Sequence, residues 1–244
     1  MTIDLLDARR GEYSSKSGLV YSIGDPYAID ESLKLRLQYV EAMDWQPAYL
    51  EGQDPYDKDP RTIHLAKISE GSSSIVEAGM RLTPVDKLGD SLSLEMISSS
   101  PDFLRQLSSQ VEWMEQIERA AQEGQLWDLT RLVTSFDTTI PPKQKIGSIL
   151  EMIGAGIALT SDHGEAGVDP LWFFATNRTM KSVFKAVKIQ HTVLASGILG
   201  NDEQETYFCV ARPLEVLDNA LSNPRRYGTT IESVERGIRS AHRR

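Results

Sequence analysis

Four short polar clusters sit inside or beside apolar runs of this chain, and their side chains are of the types that move protons and hold charged small molecules. Glu51-Gly52-Gln53-Asp54-Pro55-Tyr56-Asp57 carries two aspartates three apart, and Gly79-Met80-Arg81-Leu82-Thr83-Pro84 sets an arginine in an apolar stretch. Leu126-Trp127-Asp128-Leu129-Thr130-Arg131-Leu132 places an aspartate and an arginine three apart. A carboxylate can take a proton or face a cation, and a planar guanidinium grips a carboxylate with two parallel hydrogen bonds. In a strand, residues three apart point to opposite faces unless a bulge intervenes, so a bulge near Thr130 would let Asp128 and Arg131 reach one cleft. The fourth cluster is Lys181, Lys185 and Lys188, at i, i+4 and i+7 on one helix face.

Elements that would position these groups follow from periodicity and punctuation. Residues 1–27 show no sustained period and are expected to form an arm without a core of its own. Leu33, Leu37 and Val40 recur at helical spacing after the cap Asp30, with Arg36 beside them and Trp45 near the helix end. Ile63 to Ile68 and Ile75 to Leu82 read as a hairpin. Pro101 opens one long helix with Leu104, Leu107, Val111, Met114 and Ile117 inward, stopped at Gly124. The strand 126–134 is followed by a helix from Pro142 with an apolar stripe of Ile146, Ile149, Ile153 and Ile157. Leu171-Trp172-Phe173-Phe174-Ala175-Thr176 reads as a strand buried on both faces, then the lysine-bearing helix, then strands 192–199 and 205–212. Alternating strands and helices predict an α/β domain over 28–213 with a mixed sheet between helices, and a basic helical extension over 214–244.

Composition narrows the function classes. A chain of 244 residues, 40% hydrophobic, can bury a full core, while a net charge of −9 argues against nucleic acid as the main ligand. No apolar run is long enough to cross a bilayer, and Met1-Thr2-Ile3-Asp4 is acidic where a signal peptide is basic, so a cytoplasmic protein is expected. The one cysteine, Cys209, lies in an apolar run and reads as a small buried hydrophobe. His163 has no companion at metal-ligand spacing, and no metal site is expected.

Taken together and in order, Arg36, Trp45, Asp54 and Asp57, Arg81 within Met80-Arg81-Leu82-Thr83-Pro84, and Asp128 and Arg131 within Trp127-Asp128-Leu129-Thr130-Arg131 resemble the acyl-homoserine-lactone synthases, from about residue 33 to 212. The resemblance implies an N-acetyltransferase-like three-layer αβα sandwich with a mixed central sheet. It implies transfer of an acyl group from acyl carrier protein to the amine of S-adenosylmethionine, followed by lactone closure and release of methylthioadenosine. S-adenosylmethionine would be a substrate, with no separate cofactor. Its amine is largely protonated at neutral pH, so a carboxylate must take a proton first, and Asp54 and Asp128 are the candidates. Arg36, Arg81 or Arg131 would hold the substrate carboxylate, and Asp57 or Trp45 would face the sulfonium and amine. Trp127, Trp172 and Thr176 are candidate walls of the substrate site, joined for the acyl chain by Leu150, Met152 and Phe174. The Lys181, Lys185 and Lys188 stripe is the candidate docking patch for the acidic carrier.

The chain departs from that family's pattern in two places. Arg36 is followed by Tyr39-Val40-Glu41, with Trp45 one residue early, and Asp128 stands where the family has glutamate, one methylene longer. Gln144-Lys145-Ile146-Gly147-Ser148-Ile149 resembles the pyrophosphate turn of coenzyme-A acetyltransferases, except that Ile149 takes the place of a small residue. Two rivals stay open: another N-acyltransferase of the same fold acting on an amino acid or amine, and a non-catalytic acyl or nucleoside sensor.

Overall fold

The computed structural model describes residues 13–14, 18–24, 35, 37–38, 55–69, 75–98, 100–162, 169–186, 189–198, 205–222 and 229–242. Arg36, Trp45, Asp54 and Lys188, each a candidate site residue, lie outside the described residues. The chain divides into two compact units, one drawing on residues 1–83, 131–158 and 232–244, the other on 84–130 and 159–231. The strands run in the order β1-β2-β3-β4-β5-β6-β8-β7, and β5 (Leu126–Thr134) gives its second half to the first unit and its first half to the second.

In the first unit, β1 (Tyr13–Ser14), β2 (Leu19–Ile23), β3 (Ile63–Ile68) and β4 (Val76–Pro84) form an antiparallel ladder. The stretch expected to be an arm thus supplies β2, whose Leu19, Val20 and Tyr21 are buried. Five apolar-rich residues without alternation carry no period, and pairing along β3 is what buries them. Helical Leu35 packs with Val20, Ala66, Val76 and Val133. Helix α4 (Pro142–Asp162) is buried at every position from Ser148 to Ala158, rather than along one isoleucine stripe. The C-terminal helix α7 (Thr229–His242) accounts for this, because Gly154 faces the backbone of Val234 and Gly237 faces the backbone of Glu151. Only hydrogen at those Cα positions permits so close an approach. Glu151 accepts from Arg236 of α7 at 2.7 Å and pairs with Lys67 of β3 at 2.8 Å.

In the second unit β6 (Leu171–Asn177) runs parallel to β5 and antiparallel to β8 (Glu205–Ala211), which pairs with β7 (Thr192–Ile198), so the sheet is mixed. The expected single helix after Pro101 is two, α2 (Pro101–Ser108) and α3 (Val111–Gln122), after a short α1 (Leu92–Ser98). Unbroken helix would turn Ile117 about 80° away from Leu107, and the break at Ser109-Gln110 lets both stay in the core. Leu104 and Val111, expected inward, are consequently 44% and 60% exposed. Gly124, at φ 67°, ends α3, and Gln125 N–H bonds the Ala120 carbonyl at 2.7 Å. Phe103, Phe173 and Phe208 centre the core, with the Phe103 and Phe208 rings edge to face at 4.9 Å. Helices α5 (Arg178–Ala186) and α6 (Pro213–Ser222) complete this unit.

Candidate functional site

Asp57 is the centre of a buried ion cluster in the first unit, and the loop around it is tied down locally. It lies in the 3-10 turn Pro55–Lys58. Thr62, fully buried at the start of β3, donates its hydroxyl to the Tyr56 carbonyl at 2.9 Å, and its N–H bonds the Asp59 carbonyl at 3.0 Å. Asp59 in turn accepts from the backbone N–H of Arg61 at 2.8 Å. The turn therefore enters β3 in one geometry, with Asp57 aimed at β4 and β5.

Arg81, in register with His64 on β3, donates Nη1 to Asp57 Oδ1 at 2.8 Å, and Arg131 donates Nη2 to Asp57 Oδ2 at 2.6 Å. One carboxylate thus bridges two guanidinium groups. The side chains of Asp57 and Arg81 are 0% and 1% exposed, whereas Arg131 keeps 11%. Desolvating such ions is costly, and charge-assisted hydrogen bonds of this length are what offset it. The Arg81 guanidinium carbon also stands 5.9 Å from the Tyr56 ring centre. Burial makes Arg81 a brace for Asp57, and the residual exposure of Arg131 makes it the arginine that can meet a ligand.

A bulge near Thr130 would bring Asp128 and Arg131 to one cleft, and the backbone departs from extended form at Arg131. Arg131 has φ 56°, the one non-glycine residue at positive φ among those described. An arginine in the left-handed region costs energy that its surroundings must supply, and such strain gathers at functional positions. Asp128 accepts hydrogen bonds from two serines. Its Oδ2 accepts from the Ser91 hydroxyl at 2.8 Å and the Ser93 N–H at 2.9 Å, and its Oδ1 from the Ser93 hydroxyl at 2.6 Å. Ser91 also caps α1 by accepting from Leu94 N–H at 3.1 Å. A buried carboxylate at the start of α1 satisfies donors that the helix leaves open and complements its dipole. Ser91 and Ser93 escaped the sequence reading because serines before an apolar run signal a cap and nothing of a distant partner.

The remaining candidates divide by unit. Trp127 is buried and pairs in register with Trp172, whose Nε1 lies 3.3 Å from Thr160 Oγ1. Thr176, 9% exposed, shares a face of β6 with Trp172 and Phe174, and its hydroxyl finds no hydrogen-bond partner among the described residues. Lys181 on α5 stands 3.6 Å above the Tyr207 ring, and Lys185 is exposed. In the first unit, Gln144 and Ser148, from the stretch compared with a pyrophosphate turn, both donate to Glu77 of β4. Among the described residues no group of His, Cys, Asp and Glu is placed to hold a metal, and no helix is long and apolar enough to cross a membrane.

No protein-family model and no curated protein sequence matches the chain. Solved structures do. BjaI, a CoA-dependent acyl-homoserine lactone synthase captured with SAM and isopentyl-CoA, superposes with a TM-score of 0.52 at 18% identity, over 89% of this chain and 96% of its own. The AHL synthase LasI gives 0.53 at 13% identity, over 82% and 94%. The chain has the acyl-homoserine lactone synthase fold. TofI, in a ternary complex with an inhibitor and MTA, gives 0.52 at 17% identity, over 82% and 96%. The α/β fold with a mixed central sheet, expected from the order of strands and motifs, is the fold observed. At these identities the likeness is one of fold, and the chemistry rests on the chain's own residues.

Proposed function

We propose that this chain is an acyl-homoserine-lactone synthase, acting in the cytoplasm on S-adenosylmethionine and an acyl thioester carried by acyl carrier protein. The observation that carries the reading is Asp57 bridging Arg81 and Arg131 in this fold. Those are the residues that the motif resemblance assigns to the substrate. Because Asp128 already receives three donors, proton removal falls to Asp54, which takes a proton from the substrate ammonium directly or through a water. The freed amine attacks the thioester carbon, the oxyanion collapses, and the thiolate leaves and is protonated. Arg131 holds the substrate carboxylate, with Arg36 as a second candidate, while Arg81 fixes Asp57 for the cationic end, for which Trp45 is the other candidate. The carboxylate then displaces the sulfonium sulfur at the γ-carbon, which closes the lactone and releases neutral methylthioadenosine. Trp127, Trp172 and Thr176 wall the acyl side, and Lys181, Lys185 and Lys188 meet the acidic carrier.

The test is product analysis of the purified chain with S-adenosylmethionine and either an acyl carrier thioester or an acyl coenzyme A. Methylthioadenosine and thiol released in equal amounts, with an acylated lactone, are expected. The description of BjaI as CoA-dependent favours the coenzyme A arm as second reading of the donor. Thiol without methylthioadenosine, with simple amines acylated as fast, would replace the proposal by a general N-acyltransferase. Binding of both substrates without turnover would replace it by a sensor.

A further inference from the structure

The second unit contains an open pocket of about 560 Å³ that takes no part in the bond-making steps above, although Lys181 and Lys185 of α5, two residues of the proposed carrier-docking stripe, line it with Trp113 of α3, His191, Val210 and Arg212. That volume lies in the range of small-molecule sites. Three cations, Lys181, Lys185 and Arg212, face it against one acid, Glu215, in a chain whose overall balance is −9. A local excess of this sign in an acidic protein sets up a potential for anions.

The cations are held in different ways. Arg212 is braced: its guanidinium carbon stands 5.8 Å from the Trp113 ring centre, one nitrogen donates to Gln116, and Nε lies 3.5 Å from Glu215. Lys181 rests on the Tyr207 ring at 3.6 Å. Lys185 is exposed and has no ion-pair partner among the described residues. Beside these heads the wall is apolar, with Ile189 and the buried Val210 and Ala211. A solvated basic helix face would have neither the concavity nor the apolar floor.

We infer that this cavity binds a small amphipathic anion, its carboxylate or phosphate head between Lys185 and Arg212 and its apolar body against Trp113, Ile189 and Val210. Such a head gains charge-assisted bonds, and its body displaces water from apolar surface. The pocket shares Lys181 and Lys185 with the docking stripe proposed above, so it is tested with both substrates absent, where binding needs neither S-adenosylmethionine nor an acyl donor.

Isothermal titration of the full chain, with both substrates absent, tests it using 2-naphthoate, 2-naphthyl phosphate and the uncharged 2-naphthamide. One anion is expected to bind per chain, with the amide weaker by about tenfold or more. The tighter of the two anions identifies the head group, and either supports the inference. Lys185→Glu is expected to weaken the anion by about tenfold while the melting temperature stays put, as the position is exposed. Arg212→Gln should also weaken the anion, with some loss of melting temperature because Arg212 is braced by Trp113, Gln116 and Glu215. Equal affinity for amide and anion, or unchanged anion binding in folded Lys185→Glu, would overturn the site, and since both are read without substrates, either can fail while methylthioadenosine release from the parent chain is still observed.

Discussion

Arg131 donates to Asp57 at 2.6 Å across 74 residues of chain, from a backbone position at φ 56°. The strained residue and the buried carboxylate therefore hold each other, with Arg81 on the other oxygen at 2.8 Å. Asp57→Asn should cost about 3–5 kcal/mol in urea unfolding, since it leaves two guanidinium groups without their counter-charge. Arg131→Lys keeps the charge and loses the fork, so its unfolding midpoint should stay near that of the parent while turnover disappears. Near-normal turnover in that folded variant would remove Arg131 from the substrate site.

Asp128 offers a sharper separation of roles. Asp128→Asn turns an amide toward at least one of the Ser91 and Ser93 donors and should destabilise by about 1–3 kcal/mol. Asp128→Glu restores the residue of the resembling family, yet the site is 1% exposed and filled, so the added methylene should cost about 1–3 kcal/mol. Both variants should lose thermal stability and retain turnover in proportion to folded protein. Full stability in Asp128→Asn together with abolished turnover would make Asp128 the base after all.

The contrast between Asp57 and Asp128 shows what a linear reading can and cannot reach. Motif order put Asp57, Arg81 and Arg131 in one set with Arg36, Trp45, Asp54 and Asp128, and of these the structure joins Asp57, Arg81 and Arg131 by hydrogen bonds while Asp128 bonds Ser91 and Ser93. Spacing left open whether a bulge near Thr130 brings Asp128 and Arg131 to one cleft; the structure has Arg131 at φ 56° and Asp128 on Ser91 and Ser93. Partners contributed by a separate helix end, such as Ser91 and Ser93, carry no mark in the sequence. The α2–α3 break was equally hidden, because Leu104 and Val111 continued an apolar period that tertiary packing does not use. Helix α4 looked one-sided for a similar reason: the glycines that admit α7, Gly154 and Gly237, are 83 residues apart.

Cys209 gives a pH prediction with a definite sign. Burial pushes its thiol up to about 12, against a smaller opposing effect of Lys181. The folded value lies above the ordinary thiol value of about 8.5, so the neutral thiol's contribution to stability is complete below that pH. It is lost as pH rises from about 8.5 toward 12. Below pH 8 the native protein should not react with an aromatic disulfide reagent, and one thiol should appear on unfolding in urea. Rapid native labelling at pH 7.5 would show an accessible thiolate and refute the assignment.

The contact of α4 with α7 is the most exacting piece of packing in the first unit. A Cβ on Gly237 would run into the carbonyl oxygen and carbon of Glu151 and the backbone nitrogen of Ala155. These are main-chain atoms inside a helix, which cannot swing aside as a side chain would. Gly237→Ala must therefore separate the helices, stretching the 2.7 Å bond from Arg236 to Glu151, at a cost of about 1–3 kcal/mol or more. Gly147 is the control on α4, since a Cβ there meets only Ser233 Oγ at 3.9 Å, an ordinary contact. Gly147→Ala should raise stability by up to about 1 kcal/mol through helix propensity alone. The two substitutions are the same chemical change, so melting temperatures moving in opposite directions isolate the helix contact. A parallel shift in both would mean that α7 does not lie against α4 in solution.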